Sequence, residues 1–215
     1  MKIKKIALFT VLTSLIFSFI SCASTNVKED NPNFLADMDA FNIGEIVALN
    51  KQNFFKPKPV NVSVDFFPRT SSVGMSLKDG MNKVYLIFSP EEFQALSESV
   101  DKYLEIKESN GFVKGYKPGR KNRFYKGEVD ILWGAAGLGR EVMTKYDTNY
   151  EWMEDNPYFR LEVSPANAPD EDHVSSPTVS IYFTPAQATA LKSVINMEDI
   201  MKEIEDFNSA AYDFD

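Results

Sequence analysis

The chain predicts an α+β fold: two ββββα repeats with antiparallel sheets, each packed by one C-terminal helix. Three observations predict it. Apolar and polar residues alternate along short segments in both halves, the mark of half-buried strands. Each half ends in the same punctuation, a strand followed by Ser-Pro or Thr-Pro and an apolar-striped helix. The two endings also superimpose at an offset of 95. Val84-Tyr85-Leu86-Ile87-Phe88-Ser89-Pro90 falls on Val179-Ser180-Ile181-Tyr182-Phe183-Thr184-Pro185, Ala95-Leu96 on Ala190-Leu191, and Val100 on Ile195.

The elements follow in order. Residues 22–43 read as a polar tether, ASTNVKEDNPN after Cys22, with Asn31-Pro32 a candidate start for a short helix carrying Phe34, Leu35, Met38 and Phe41. The first repeat is placed at 44–110. Glu45–Leu49 is its first strand, and Gly44-Glu45-Ile46 echoes Gly127-Glu128-Val129. Val60, Val62, Val64 and Phe66 alternate with Asn61, Ser63 and Asp65; Val73, Met75 and Leu77 repeat the pattern. Lys78-Asp79-Gly80 supplies a turn before Val84, Leu86 and Phe88. A helix then opens with Ser89 as cap, Pro90 at its first position and Glu92 closing a Ser-x-x-Glu capping box. Phe93, Leu96, Val100 and Leu104 share one of its faces.

Residues 111–126 read as a basic linker, and the second repeat as 127–207. Val129, Ile131 and Trp133 mark a strand, and a glycine-rich connection runs from Gly134 to Gly139. That connection lacks the Gly-x-Gly-x-x-Gly spacing and the following helix of a phosphate cradle. A long strand alternates from Val142 through Trp152; Tyr146, Tyr150 and Trp152 lie on one face, as cross-strand packing rather than a platform. Phe159–Val163 and Val179–Phe183 follow, then a helix with a Thr184/Gln187 capping box. That helix continues through Met201 and Ile204 into an acidic tail at 208–215.

Two copies of four antiparallel strands and one helix resemble the Pur-alpha and whirly families. Phe88-Ser89-Pro90-Glu91-Glu92-Phe93 and Phe183-Thr184-Pro185-Ala186-Gln187 look like the strand–Ser/Thr-Pro–helix ending of the related transcriptional-coactivator domain. The likeness covers about residues 44–207 and implies binding of single-stranded nucleic acid. Fold alone does not carry function.

Address and charge pull in another direction. Met1-Lys2-Ile3-Lys4-Lys5 is a basic head, and Ile6–Ile20 is a mostly apolar run of 15 residues. That is too short for the ~20 residues of a membrane-spanning helix and fits a secretory signal over 1–21. Phe19-Ile20-Ser21-Cys22 resembles the lipobox of bacterial lipoproteins, which implies cleavage before Cys22 and acylation of its thiol. Cys22 is the one cysteine in the sequence, so no internal disulfide can form. The expected location is the bacterial cell envelope, with Ala23 after the cysteine favouring the outer membrane over the inner. Without residues 1–21 the chain holds 20 Lys+Arg against 31 Asp+Glu, a net charge of −11. That balance argues against nucleic-acid binding over the whole surface and leaves room for a local basic patch.

One segment supplies such a patch. Gly111–Gly127 carries Lys114, Lys117, Arg120, Lys121, Arg123 and Lys126 with no acidic residue, interleaved with Phe112, Tyr116, Phe124 and Tyr125. Cations can hold phosphates or sulfates while aromatic faces stack on bases or sugars. The candidate polyanion-binding residues are therefore Lys114, Tyr116, Lys117, Arg120, Lys121, Arg123, Phe124, Tyr125 and Lys126; anionic lipid headgroups are another target. The competing reading is a solvated linker. Asp170-Glu171-Asp172-His173, with the one histidine of the sequence, lacks the glycine and distal glutamate of a calcium loop. No metal, cofactor or catalytic set is assigned. The expected function is non-enzymatic binding or an envelope-structural role, the partner being a protein, glycan or other polyanion. Single-stranded nucleic acid comes second and a hydrolytic enzyme third. Oligomeric state is left open.

Overall fold

Alternation sets the strands, and register decides what they build. The computed structural model describes residues 40–51, 56–80, 82–135, 139–169 and 173–212. The expected leader over 1–21, Cys22, the expected tether, the start of the expected short helix, Ala136–Leu138, Asp170–Asp172 and 213–215 lie outside the described residues. Phe41 belongs to a strand.

The strands are β1 (Phe41–Asn50), β2 (Lys58–Phe67), β3 (Ser72–Asp79), β4 (Asn82–Phe88), β5 (Tyr125–Ala135), β6 (Arg140–Met153), β7 (Asn156–Val163) and β8 (Val179–Phe183). The helices are α1 (Pro90–Glu108), α2 (Pro185–Val194) and α3 (Met197–Tyr212). Every strand pairs antiparallel with its sequence neighbour, and β8 returns to β1, so the sheet is a closed eight-stranded barrel. The closing seam is short: Leu49 opposite Tyr182, Asn50 opposite Ile181, and the Lys51 N–H donating to the Ser180 carbonyl at 3.0 Å.

This corrects the predicted fold class. The halves do not form two sheets with a helix on each. β4 and β5 pair from Asn82–Ala135 to Ile87–Asp130 and fuse them. The helices also cross over. Helix α1 follows β4 yet is tied to strands of the second half: Tyr146 Oη donates to the Glu92 carboxylate at 2.9 Å, Thr148 Oγ1 to Ser99 Oγ at 2.9 Å, and Tyr103 Oη to the Pro157 carbonyl at 2.9 Å. Helix α2 ends over β1, where a methyl added at Gly44 would meet the Val194 side chain at 2.9 Å. The Pur-alpha and whirly likeness therefore does not carry the fold. Periodicity shows which face of a strand is apolar and is silent on its edge partner. Closing the barrel gives both β1 and β8 an edge partner that an open four-stranded sheet would leave without one.

One face of all eight strands is the core. Val64, Met75, Leu86 and Ile131 sit opposite one another in register across four strands, all fully buried, and Tyr150, Phe159 and Phe183 do so across three. Phe93, Leu96, Val100 and Tyr103 of α1 and Ala188 and Leu191 of α2 join the same cluster. Removing a side chain such as Phe93 or Leu96 from water contributes roughly 1.5–3 kcal/mol.

The caps differ in a telling way. Thr184 and Gln187 form the predicted reciprocal box. Ser89 accepts the Glu92 N–H at 3.3 Å, but the Glu92 carboxylate does not return to the cap; it accepts the Glu128 N–H at 3.2 Å instead. The last helix is not continuous. It breaks at Ile195–Asn196, and Asn196 Oδ1 accepts the Glu198 N–H at 3.2 Å as α3 begins.

Candidate polyanion-binding cleft

The connection between α1 and β5 is bound to the barrel by its aromatic residues. Tyr116 stacks on Tyr150, ring centroids 4.0 Å apart at 15°. Phe112 meets Tyr150 and Tyr103, and Phe124 lies parallel to Phe159 at 6.5 Å. The Tyr116 hydroxyl shares its proton between the Asn122 carbonyl and Oδ1 of buried Asn149. Burial raises its pKa despite the Asn149 bond. Asn122 Nδ2 donates to the Lys117 carbonyl at 3.1 Å, and the Phe124 N–H to the Thr148 carbonyl at 2.8 Å. The segment is thus amphipathic: its rings plug into the core cluster and its cations face solvent.

Beneath Pro118–Arg123, on the outer face of β5–β7, lies a cleft of 630 Å³. Arg120 and Arg123 come from the loop, Lys126 from β5, Lys145 from β6 and Arg160 from β7. Arg120, Lys126 and Lys145 are exposed and Arg123 is half-buried. The Arg123 Nε donates to the Arg120 backbone carbonyl at 3.2 Å, which ties the Arg123 guanidinium to the loop. Register sets Asp147 opposite Lys126 and Glu128 opposite Lys145. Even so, among the described residues no carboxylate comes within ion-pair distance of Arg120, Arg123, Lys126 or Lys145.

Arg160 explains where Asp147 goes. Its guanidinium reaches Asp147 at 2.9 Å, Glu162 at 2.8 Å and Glu151 at 3.4 Å. Burial works against the Arg160 charge, yet Glu162 and Asp147 outweigh it and hold its pKa above the ordinary value. Asp147, the one carboxylate lining the cleft among the described residues, is thus held by the Arg160 guanidinium, while Arg120, Arg123, Lys126 and Lys145 have no carboxylate partner among the described residues. In water-accessible geometry such a site attracts anions and can donate several charge-assisted hydrogen bonds.

Of the residues singled out from sequence, Arg120, Arg123 and Lys126 line the cleft. Lys114 does not; it pairs with exposed Asp155 at 2.8 Å. Lys117 and Lys121 are exposed outside the lining. Tyr116 and Phe124 hold the loop rather than offer a face. Tyr125 sits opposite buried Thr148 and packs beside Tyr146, on the helix side of the sheet. Lys145 and Arg160 were missed, because each is one charge in the polar half of an alternating strand, and only register gathers them. His173 is exposed, and no group of metal-ligating side chains occurs among the described residues. Two further hollows are less one-sided. That of 610 Å³ at β1–β4 mixes Glu45 with Lys78 and Lys83, and that of 440 Å³ between the helices mixes Lys192 with Asp199.

A closed eight-stranded antiparallel barrel with a basic cleft under an ordered loop defines the class of protein. The chain belongs to the family described as an uncharacterised Treponema protein, whose model matches residues 27–202, and so to a bacterial family. No curated protein and no solved structure matches the chain. No helix of the described residues is long and apolar enough to cross a membrane.

Proposed function

We propose that this protein is a lipid-anchored protein of the bacterial cell envelope that binds a polyanion, without catalysis, in the cleft under Pro118–Arg123. The observation that carries the reading is the convergence of Lys145 on β6 with Arg120, Arg123 and Lys126 of the loop and the start of β5, none with a carboxylate partner among the described residues, on a chain of net charge −8. Charges on so acidic a chain gather without compensation where an anion replaces the missing partner. The address rests on the Lys-rich head, the apolar run and the lipobox-like Phe19-Ile20-Ser21-Cys22. The bacterial family is consistent with it.

The binding reading is tested by titrating the full chain, purified in detergent, with labelled inorganic polyphosphate. Wild type binds in the micromolar range; a variant with Arg120→Glu, Arg123→Glu and Lys126→Glu melts at the same temperature and does not bind. Equal binding by both removes the cleft from the proposal. The address is tested by Cys22→Ser, which moves the protein from the membrane fraction to the soluble fraction. Retention of the variant in membranes overturns the lipid anchor.

A further inference from the structure

We infer that the cleft reads a run of phosphate groups by charge and hydrogen bonding alone, irrespective of the groups that join them, and has no subsite for a nucleobase. The inference rests on the polyanion reading and narrows it.

Two observations carry it. The first is what the cleft offers. Two arginines and two lysines without carboxylate partners among the described residues face a hollow otherwise lined by small or paired groups such as Gly119, Ser164 and the Asp147–Arg160 pair. A guanidinium can grip two oxygens of one phosphate, and an ammonium serves as a point charge for another. The second is what the cleft withholds. Sequence-tolerant binding of single strands needs open ring faces, worth about 1–3 kcal/mol per stacked base. Here every aromatic interleaved with the cations is committed. Phe112 and Tyr116 pack on Tyr150, Phe124 on Phe159, and Tyr125 beside Tyr146. The one aromatic ring lining the cleft among the described residues, Tyr146, is 1% exposed and its hydroxyl is held by Glu92. Freeing a ring for stacking means pulling the loop off the aromatic cluster, which forfeits as much contact as a base returns.

The charge count then fixes the salt response. With four phosphate contacts and a single-strand coefficient of about 0.7 each, affinity falls about 50-fold between 50 and 200 mM salt.

The experiment titrates the full chain in detergent with three labelled polymers of equal phosphate count: inorganic polyphosphate, a single-stranded oligonucleotide, and the same backbone with abasic sugars throughout. The expected result is that the two oligonucleotides bind within about threefold of each other, with the same salt slope. Both are lost in the Arg120→Glu, Arg123→Glu, Lys126→Glu variant, as polyphosphate is. An oligonucleotide that binds tenfold or more tightly than its abasic counterpart overturns the base-blind inference and leaves the polyanion reading standing. Binding of polyphosphate alone also overturns it, because the connecting groups would then matter. Failure of all three polymers to bind wild type overturns the polyanion reading itself.

Discussion

Arg160 shows how one residue can shape a site it does not dominate. Its guanidinium is mostly buried and spans three carboxylates on two neighbouring strands. Without it, Asp147, Glu151 and Glu162 would crowd one face of β6 and β7 with uncompensated charge. Taking one partner out of a fully buried pair costs about 3–5 kcal/mol, and the partial exposure of these carboxylates lowers that. Arg160→Met is therefore expected to destabilise the fold by about 2 kcal/mol in urea unfolding. It should also weaken polyphosphate binding by more than Lys145→Met does, because it restores a free negative charge to the cleft as well as removing a positive one. Equal losses in affinity for the two variants would show that Asp147 is no obstacle to an anion. Arg120, Arg123 and Lys126 were legible because they are neighbours in a run with no acid. Arg160 was not, because its meaning lies in the register that sets Asp147 opposite Glu162, and no pattern in a single strand reports the strand beside it.

The elements themselves were largely legible, and their assembly was not. Strict alternation located β2, β3, β4, β6, β7 and β8 to within a few residues. Ser89-Pro90 and Thr184-Pro185 located the starts of α1 and α2. What failed was the assumption that a helix packs only on the strands that precede it: α1 also packs on β5 and β6, and α2 on β1. The clue was present in the recurrence of Gly44 and Gly127. Each glycine lies on the core face beneath the helix of the other half, and each clears the close approach of a side chain. A methyl at Gly127 would stand 1.9 Å from the Glu92 carboxylate and 2.6 Å from the Tyr125 ring. Glu92 cannot move aside cheaply, since it holds the Glu128 N–H and the Tyr146 hydroxyl. Gly127→Ala is thus expected to cost about 2 kcal/mol, in the range of overpacked cores. In a Glu92→Ala background the same change should cost about 1 kcal/mol less, a coupling that a double-mutant cycle in urea resolves. Strict additivity would mean that α1 is not seated on Gly127. The same logic explains the capping box that did not form at Ser89: a carboxylate able to tie α1 to β5 and β6 serves the barrel better there than at its own helix end.

At the scale of the whole molecule, neutral tyrosines are built into both faces of the barrel. Tyr103 and Tyr146 lie in the core, and Tyr182 lies on the outer face with its ring covered and its hydroxyl donating to Glu151 at 3.0 Å. Burial is the main reason all three pKa values stand well above the ordinary value; Glu92 adds to it for Tyr146 and Glu151 for Tyr182. In the unfolded chain the same hydroxyls ionise near pH 10. Above that point the unfolded state therefore holds fewer protons than the folded state, and stability falls as pH rises. The contribution is fully present below pH 10 and is lost as pH climbs from there toward the raised folded values. Each group removes about 1 kcal/mol between pH 10 and 11 and up to about 1.4 kcal/mol per pH unit beyond, so three remove about 3 kcal/mol in the first unit. Against a total stability of about 5–15 kcal/mol, the barrel is expected to unfold within roughly two units above pH 10. Melting temperature followed from pH 8 to 12 should be level at first and then drop steeply. Tyr103→Phe keeps the ring against Phe159 and removes one ionising hydroxyl, so its curve should start lower, for want of the bond to Pro157, and fall less steeply by about one proton. A wild-type melting temperature that stays level through pH 11, or a variant whose slope matches wild type, would mean that these hydroxyls reach water in the folded barrel and that its two halves are not closed around them.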